Sequence, residues 1–242
     1  MKALIFAAGL GTRLRPLTDN MPKALVPIGG KPLLEHIILK LKSSGFHDII
    51  VNVHHFPDQI IDFIQQNNSF GINIKISDER DLLLETGGAI RKTASFFNDN
   101  EAFLVHNVDI LSNVDLKEFY QAHSQKSLAT LLVSERDTFR YLLFDEECRL
   151  HGWTNIKTNE IKPFDLKSVK EYRRLAFAGI QVVSPAVFDL MKNFEPRFSI
   201  MDFYLSNVES QVIKGYVPDN LNMIDVGKLD VLEDAEALLT RL

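Results

Sequence analysis

Apolar residues in the first half of the chain alternate between short continuous runs and helical spacing. Ala3 to Ala8 is an unbroken apolar run of strand length, the pattern of a strand covered on both faces. Leu33, Leu34, Ile37, Ile38 and Leu41 recur at helical spacing, with Gly45 placed to stop the helix. Ile49 to Val53 reads as a second strand, and Ile60, Ile61, Phe63 and Ile64 predict a helix after Pro57. Ile72 to Ile76 alternates with period two, a strand with one polar face. Gly87 to Phe97 reads as helix, and Ala102 to Val105 as a buried strand ending near Asp109.

This rhythm predicts an α/β chain with a Rossmann-like mixed, mostly parallel sheet and helices on both faces. Ligands of such sheets bind beyond the carboxyl ends of the strands. The second half is less regular. Leu128 to Val133, Tyr141 to Phe144 and Ala176 to Val183 read as strands, the last interrupted by Gly179. Asn155 to Lys162 predicts a hairpin with Thr158-Asn159 at its turn. Helices are expected over Pro185 to Met191, Ile200 to Val212 and Leu229 to Leu242. No repeat, low-complexity tract or linker stands out, so one domain over 1–242 is expected, with halves at 1–110 and 111–242.

Composition narrows the partners. Of the 242 residues, 45% are hydrophobic and 24% charged, which excludes a disordered or collagen-like chain. The net charge is −5, so no global basic field would hold a nucleic acid, and an anionic ligand needs a local pocket. Cys148 is the single cysteine, so neither an internal disulfide nor a four-thiolate zinc site can form. No apolar run approaches membrane-spanning length. Lys2 and the following apolar run look like the opening of a signal peptide. Arg13 and Arg15 stand where a cleavage region would be small and neutral, so a buried first strand and a cytoplasmic protein are expected.

The chemistry gathers after the first strand, at Gly9-Leu10-Gly11-Thr12-Arg13. Glycines let a backbone approach a ligand without a Cβ in the way, and successive N–H groups in such a turn form an anion cradle. Arg13 and Arg15 add fixed positive charge. Leu14 stands where the dinucleotide fingerprint needs a third glycine, which disfavours a dehydrogenase, and no Gly-Lys-Ser/Thr ending follows as a P-loop requires. Lys23 sits between Pro22 and Pro27, whose restricted backbones can aim it back at the loop. Asp109 and Asp225 each lie just beyond an apolar strand. Together they would suit a hard cation if the strand ends meet, and each alone would serve as a turn former.

Residues 3–27, ALIFAAGLGTRLRPLTDNMPKALVP, closely resemble the signature of the sugar-1-phosphate nucleotidyltransferases. The likeness continues through Leu84-Glu85-Thr86-Gly87-Gly88, Asn107-Val108-Asp109, Phe177-Ala178-Gly179-Ile180 and Asp225-Val226-Gly227. It resembles the short single-domain branch of that family and implies its nucleotide-diphospho-sugar transferase fold, akin to type-A glycosyltransferases. The implied partners are an NTP (UTP, GTP or dTTP) and a sugar 1-phosphate, for a monomer or homodimer. The resemblance implies that Asp109 and Asp225 hold Mg²⁺, that Arg13 contacts departing pyrophosphate, and that Lys23 contacts the reacting phosphates. Backbone at Ala8, Gly9, Gly11 and Thr12, with Glu85, Thr86, Gly87 and Gly88, would hold the nucleotide. Asn107 and Gly179 would face the sugar phosphate.

Several positions keep plainer readings. Val108 replaces the family's usual glycine, a change of packing under the substrate that leaves the sugar open. Lys162 loosely resembles a phosphate-binding lysine of longer relatives, but its spacing to Gly179 is long and a solvated hairpin lysine is expected. His54-His55 point to opposite faces of extended chain and make poor joint ligands. His106 reads as a polar residue at a strand end. Phe194 to Phe203 reads as a site wall or a dimer patch, and Lys167 to Arg174 as a solvated charged face. Two other functions compete: a CTP-dependent phosphocholine-type cytidylyltransferase on the same fold, and a nucleotide-binding regulator without catalysis.

Overall fold

The computed structural model describes residues 1–163, 166 and 169–241. In chain order the strands are β1 (Lys2–Phe6), β2 (Pro27–Ile28), β3 (Lys31–Pro32), β4 (Asp48–Val53), β5 (Asn73–Asp78), β6 (Phe103–Asn107), β7 (Ile110–Ser112), β8 (Ala129–Ser134), β9 (Arg140–Phe144), β10 (Leu150–Asn155), β11 (Glu160–Lys162), β12 (Arg173–Val183), β13 (Ile213–Tyr216) and β14 (Met223–Asp225). The α-helices are α1 (Leu33–Ser43), α2 (Pro57–Gln66), α3 (Glu85–Lys92), α4 (Leu116–Gln121), α5 (Val187–Leu190), α6 (Ile200–Asn207) and α7 (Leu232–Leu239). The chain forms two compact units, Met1–Leu84 with Phe103–Lys117 and Leu221–Leu242, and Glu85–Ala102 with Glu118–Asn220.

The first unit is built on four parallel strands in the order β6-β1-β4-β5, with Leu4 opposite both Ile50 and Val105. Ala3, Leu4 and Ile5 are fully buried, as an unbroken apolar run requires. Helix α1 buries the stripe Leu33, Leu34, Ile37, Ile38 and Leu41. Gly45 closes it with φ +89°. Pro57 opens α2, where its missing N–H costs no helical bond. The chain returns to this unit late. Strand β14 pairs antiparallel with β7, placing Asp225 opposite Ile110, and α7 packs on that ribbon.

The second unit carries the sheet β11-β10-β9-β12-β8-β13, antiparallel except for the parallel β8–β13 pair. Strand β12 pairs with β9 through Arg173 to Leu175 and with β8 from Ala176 onward. Gly179 has φ +75° inside a register shift of that second pairing. The expected hairpin is present, with Asn155 opposite Glu160 and Asn159 at φ +58°.

Two expectations change. The helix read over Ile200 to Val212 ends at Asn207, because Ile213 to Tyr216 pair with β8 instead. The helix read over Gly87 to Phe97 spans Glu85–Lys92 and passes into a 3₁₀ turn at Ala94–Phe96. Lys167, in the expected charged face, and Leu242, in the expected last helix, lie outside the described residues.

Candidate active site

The exit of β1 is fixed by a buried polar chain. Ala7 N–H donates to Asn52 Oδ1 at 2.7 Å, Asn52 Nδ2 donates to Glu79 Oε1 at 2.9 Å, and Leu84 N–H donates to Glu79 Oε2 at 3.3 Å. Asn52 and Glu79 are 3% and 1% exposed, so each must be hydrogen-bonded to be tolerated there. Neither residue stands out as functional in the sequence. The one available signal is an asparagine inside the apolar strand Ile49 to Val53.

The two loop glycines differ. Gly11 has φ +64°, and a Cβ there would lie 2.9 Å from the Thr18 methyl and 3.0 Å from Lys23 Cβ. Its carbonyl accepts from Leu14 N–H and from Thr18 Oγ1 at 2.8 Å. The fold itself therefore requires glycine at 11. A Cβ on Gly9 would meet nothing within 4 Å, so the packing of the described residues does not require glycine there.

The two acidic strand ends meet. Val226 N–H donates to Asp109 carbonyl O at 2.8 Å, and Asp225 lies opposite Ile110 in the β14–β7 pair. Lys23, 8% exposed in a 3₁₀ turn after Pro22, makes a close ion pair with Asp109. The Arg13 guanidinium lies over Gly227. A Cβ there would be 2.8 Å from Arg13 Nη2 and 2.9 Å from Asp225 Oδ1. Gly227 thus leaves room for a cation and a carboxylate side by side. Arg15 does not join them; it pairs with Asp19 at 3.4 Å in solvent. Val108 is buried and its N–H donates to Phe6 carbonyl O, so this valine is part of the packing under the site.

Asn107 ends β6 beside Phe6 of β1. His106, 1% exposed, donates its Nδ1–H to Asn107 carbonyl O at 2.7 Å. Burial pushes its pKa down to about 4, so the ring is neutral near pH 7. His54 donates its Nδ1–H to Glu79 carbonyl O at 2.7 Å, while the His55 ring lies tilted against Phe56 with centroids 4.2 Å apart. Among the described residues no three His, Cys, Asp or Glu side chains cluster. Two carboxylates with substrate phosphates and water are what Mg²⁺ takes, so the Asp109–Asp225 pair fits that ion and does not make a closed all-protein cage.

In the second unit, Glu85 to Gly88 are engaged by the 197–200 segment. Arg197 Nε donates to Glu85 Oε1 at 2.9 Å, and Ile200 N–H donates to Thr86 Oγ1 at 2.9 Å. Gly87 and Gly88 N–H both donate to Phe198 carbonyl O. A Cβ on Gly87 would lie 2.3 Å from the Phe198 ring. Phe198 and Phe203 are in the core of this unit, with Phe194 tilted against the first and edge-on to the second, and Arg91 over the Phe198 ring at 5.4 Å. That phenylalanine stretch is therefore the internal wall on which α3 packs. Lys162 is held rather than free: its Nζ is 3.2 Å from Asp202 Oδ1.

A parallel sheet whose first strand opens into a glycine turn, beside a lysine and two converging carboxylates, defines a nucleotide-handling α/β protein. The chain matches the "Nucleotidyl transferase" family over residues 2–241 and belongs to that family. It is 32% identical over 190 residues to the N-acetylmuramate alpha-1-phosphate uridylyltransferase of Neisseria meningitidis serogroup B, covering 78% of each chain. It is 33% identical over 198 residues to the mannose-1-phosphate guanyltransferase of Kluyveromyces lactis, covering 79% of this chain and 52% of that one. It thus spans about half the length of the latter relative. The structure of HddC from Yersinia pseudotuberculosis complexed with GMP-PN superposes with a TM-score of 0.78 at 24% identity, over 98% of this chain and 99% of that one. The fold is that of the nucleotide-sugar transferases, and the enzyme class is sugar-phosphate nucleotidyl transfer. Among the described residues no helix is long and apolar enough to cross a membrane.

Proposed function

We propose that the protein transfers a nucleotidyl group from UTP, GTP or dTTP to a sugar 1-phosphate, releasing pyrophosphate. The observation that carries this reading is the meeting of Asp109 and Asp225, with Lys23 on one and Arg13 beside the other. A sugar-phosphate oxygen attacks the α-phosphorus, the new P–O bond forms in line, and the bond to pyrophosphate breaks. The attacking phosphate has a second pKa of about 6, so it is mostly dianionic at neutral pH and needs no general base. The difficulty is repulsion between two polyanions and charge growing on the leaving group. Lys23 takes the reacting phosphates and Arg13 the departing pyrophosphate. The open backbone at Ala8, Gly9, Gly11 and Thr12 lies against the nucleotide, with Glu85 to Gly88 as further contacts. Asn107 and Gly179 face the sugar phosphate. Asp109 and Asp225 would hold Mg²⁺, which supplies charge neutralisation at the phosphates when bound.

The test is a matrix of NTPs against sugar 1-phosphates, read by pyrophosphate release. Release that needs both substrates and a divalent cation is expected. No release from any pairing removes the reaction.

A further inference from the structure

We infer that the cavity of the second unit selects sugar 1-phosphates that carry a carboxylate, recognised by Arg136 and Arg140; the inference rests on the transfer reaction proposed above. The cavity has a volume of about 420 Å³ and is lined by this unit alone. That is a size for a monosaccharide-scale ligand. Sheet register builds its floor. Lys162 lies opposite Trp153, Trp153 opposite Leu142, and Leu142 opposite Leu175 across β11, β10, β9 and β12. Arg140 and Phe177 stand two residues along from Leu142 and Leu175, hence on the same face. Trp153 and Phe177 give an apolar platform for the C–H face of a sugar ring, and Phe177 is two residues before Gly179.

Charge on the rim is unbalanced. The lining holds three cations, Arg136, Arg140 and Lys162, against one carboxylate, Asp202. Lys162 is already paired with Asp202 at 3.2 Å and lies 5.7 Å from the Trp153 ring centre. Arg136 Nη2 donates to Phe177 carbonyl O at 3.0 Å, which orients the guanidinium toward β12 and leaves its other N–H groups. The neighbouring Glu135 is occupied by Arg173. Among the described residues neither Arg136 nor Arg140 has an ion-pair partner. A neutral sugar's hydroxyls call for amides, backbone and single carboxylates. Two planar forks without an acid suit a carboxylate ligand. The 1-phosphate does not fill this role, because the reaction assigns it to the cations around Lys23.

The experiment uses the Mg²⁺-loaded full chain and two matched pairs: glucose against glucuronate 1-phosphate, and N-acetylglucosamine against N-acetylmuramate 1-phosphate. Each pair differs by a carboxylate, at C6 or on O3. The expected result is that kcat/KM favours the acidic member of at least one pair by about tenfold or more, the scale of a charge-assisted hydrogen bond. In the Arg136→Gln/Arg140→Gln double variant that ratio falls toward one, and in the corresponding Arg→Lys double variant part of it returns. Trp153 is the sole tryptophan, so its fluorescence reports binding in the same cavity without turnover. Equal kcat/KM within both pairs overturns the inference and leaves the transfer reaction standing. So does a preference for glucose 1,6-bisphosphate over both acidic sugars. If no pair releases pyrophosphate, the reaction fails and the fluorescence titration decides. Quenching by an acidic member alone, lost in the Gln variant, supports the cavity's selectivity, and equal or absent quenching overturns it.

Discussion

Two glycines, Gly9 in the loop after β1 and Gly87 inside helix α3, one in each unit, make an instructive contrast. At Gly87 the chain leaves no space: a Cβ would enter the Phe198 ring, and both adjacent amides are bound to one carbonyl. At Gly9 the surroundings are open, and no neighbour within 4 Å accounts for the missing side chain. One glycine answers to the protein's own packing. The other is left open by that packing, room that the proposed nucleotide would use. A sequence motif treats both alike; only the local geometry separates a glycine that the packing requires from one that it does not.

The sharpest way to break this contrast is at the acids beside the open turn. Asp109→Asn or Asp225→Asn should each cut turnover by about 10²-fold or more while the variant stays folded, as loss of a metal clamp would. Full pyrophosphate release in both would separate these acids from the chemistry. Lys23→Ala should cost a comparable factor. The first unit also carries a titrating liability. The pKa of His106 lies near 4 in the fold and near 6.5 in the unfolded chain, so the unfolded state binds more protons between those values. Stability is therefore present above pH 6.5 and is lost as pH falls toward 4, by about 2 kcal/mol between pH 6 and 4.5. The urea midpoint of the wild type should fall relative to that of His106→Gln as pH drops across that range. A pH-independent difference would remove histidine as the cause.

Gly87→Ala should cost about 1–3 kcal/mol from forced repacking against Phe198, read as a lower urea midpoint. Gly9→Ala should move that midpoint by less than about 0.5 kcal/mol, the usual scale for a surface change, and still raise the KM for NTP. If the two variants changed places, the distinction between the two glycines would collapse.

The parallel unit is the more readable one for a physical reason. Its strands β1, β4 and β6 are mostly buried, so Ala3 to Ala8 and Ile49 to Val51 appear as continuous apolar runs, and helix α1 shows a plain stripe. The later strands lack that signature. Ile213-Lys214-Gly215-Tyr216 forms β13 only because β8 offers it a parallel edge, information held elsewhere in the chain. The same applies to the site. Lys23, Asp109 and Asp225 can be picked out one at a time, but their meeting depends on the β14–β7 pairing and on Val226 binding the Asp109 carbonyl. The Asn52–Glu79 support shows in the sequence only as an asparagine in an apolar strand, because it is a tertiary hydrogen bond between two ordinary polar residues. Arg136 and Arg140 pass as solvated charges until the register puts Arg140 on the Trp153 face.

Strand β14 brings Asp225 into the first unit only after the whole of the second unit has intervened in the chain. A polypeptide leaving the ribosome therefore exposes the glycine turn, Lys23 and Asp109 long before the second acid exists. Asp109 has its lysine partner within the first 109 residues. Its pairing with the second acid depends on β14 docking against β7, the latest strand in chain order to join the first unit.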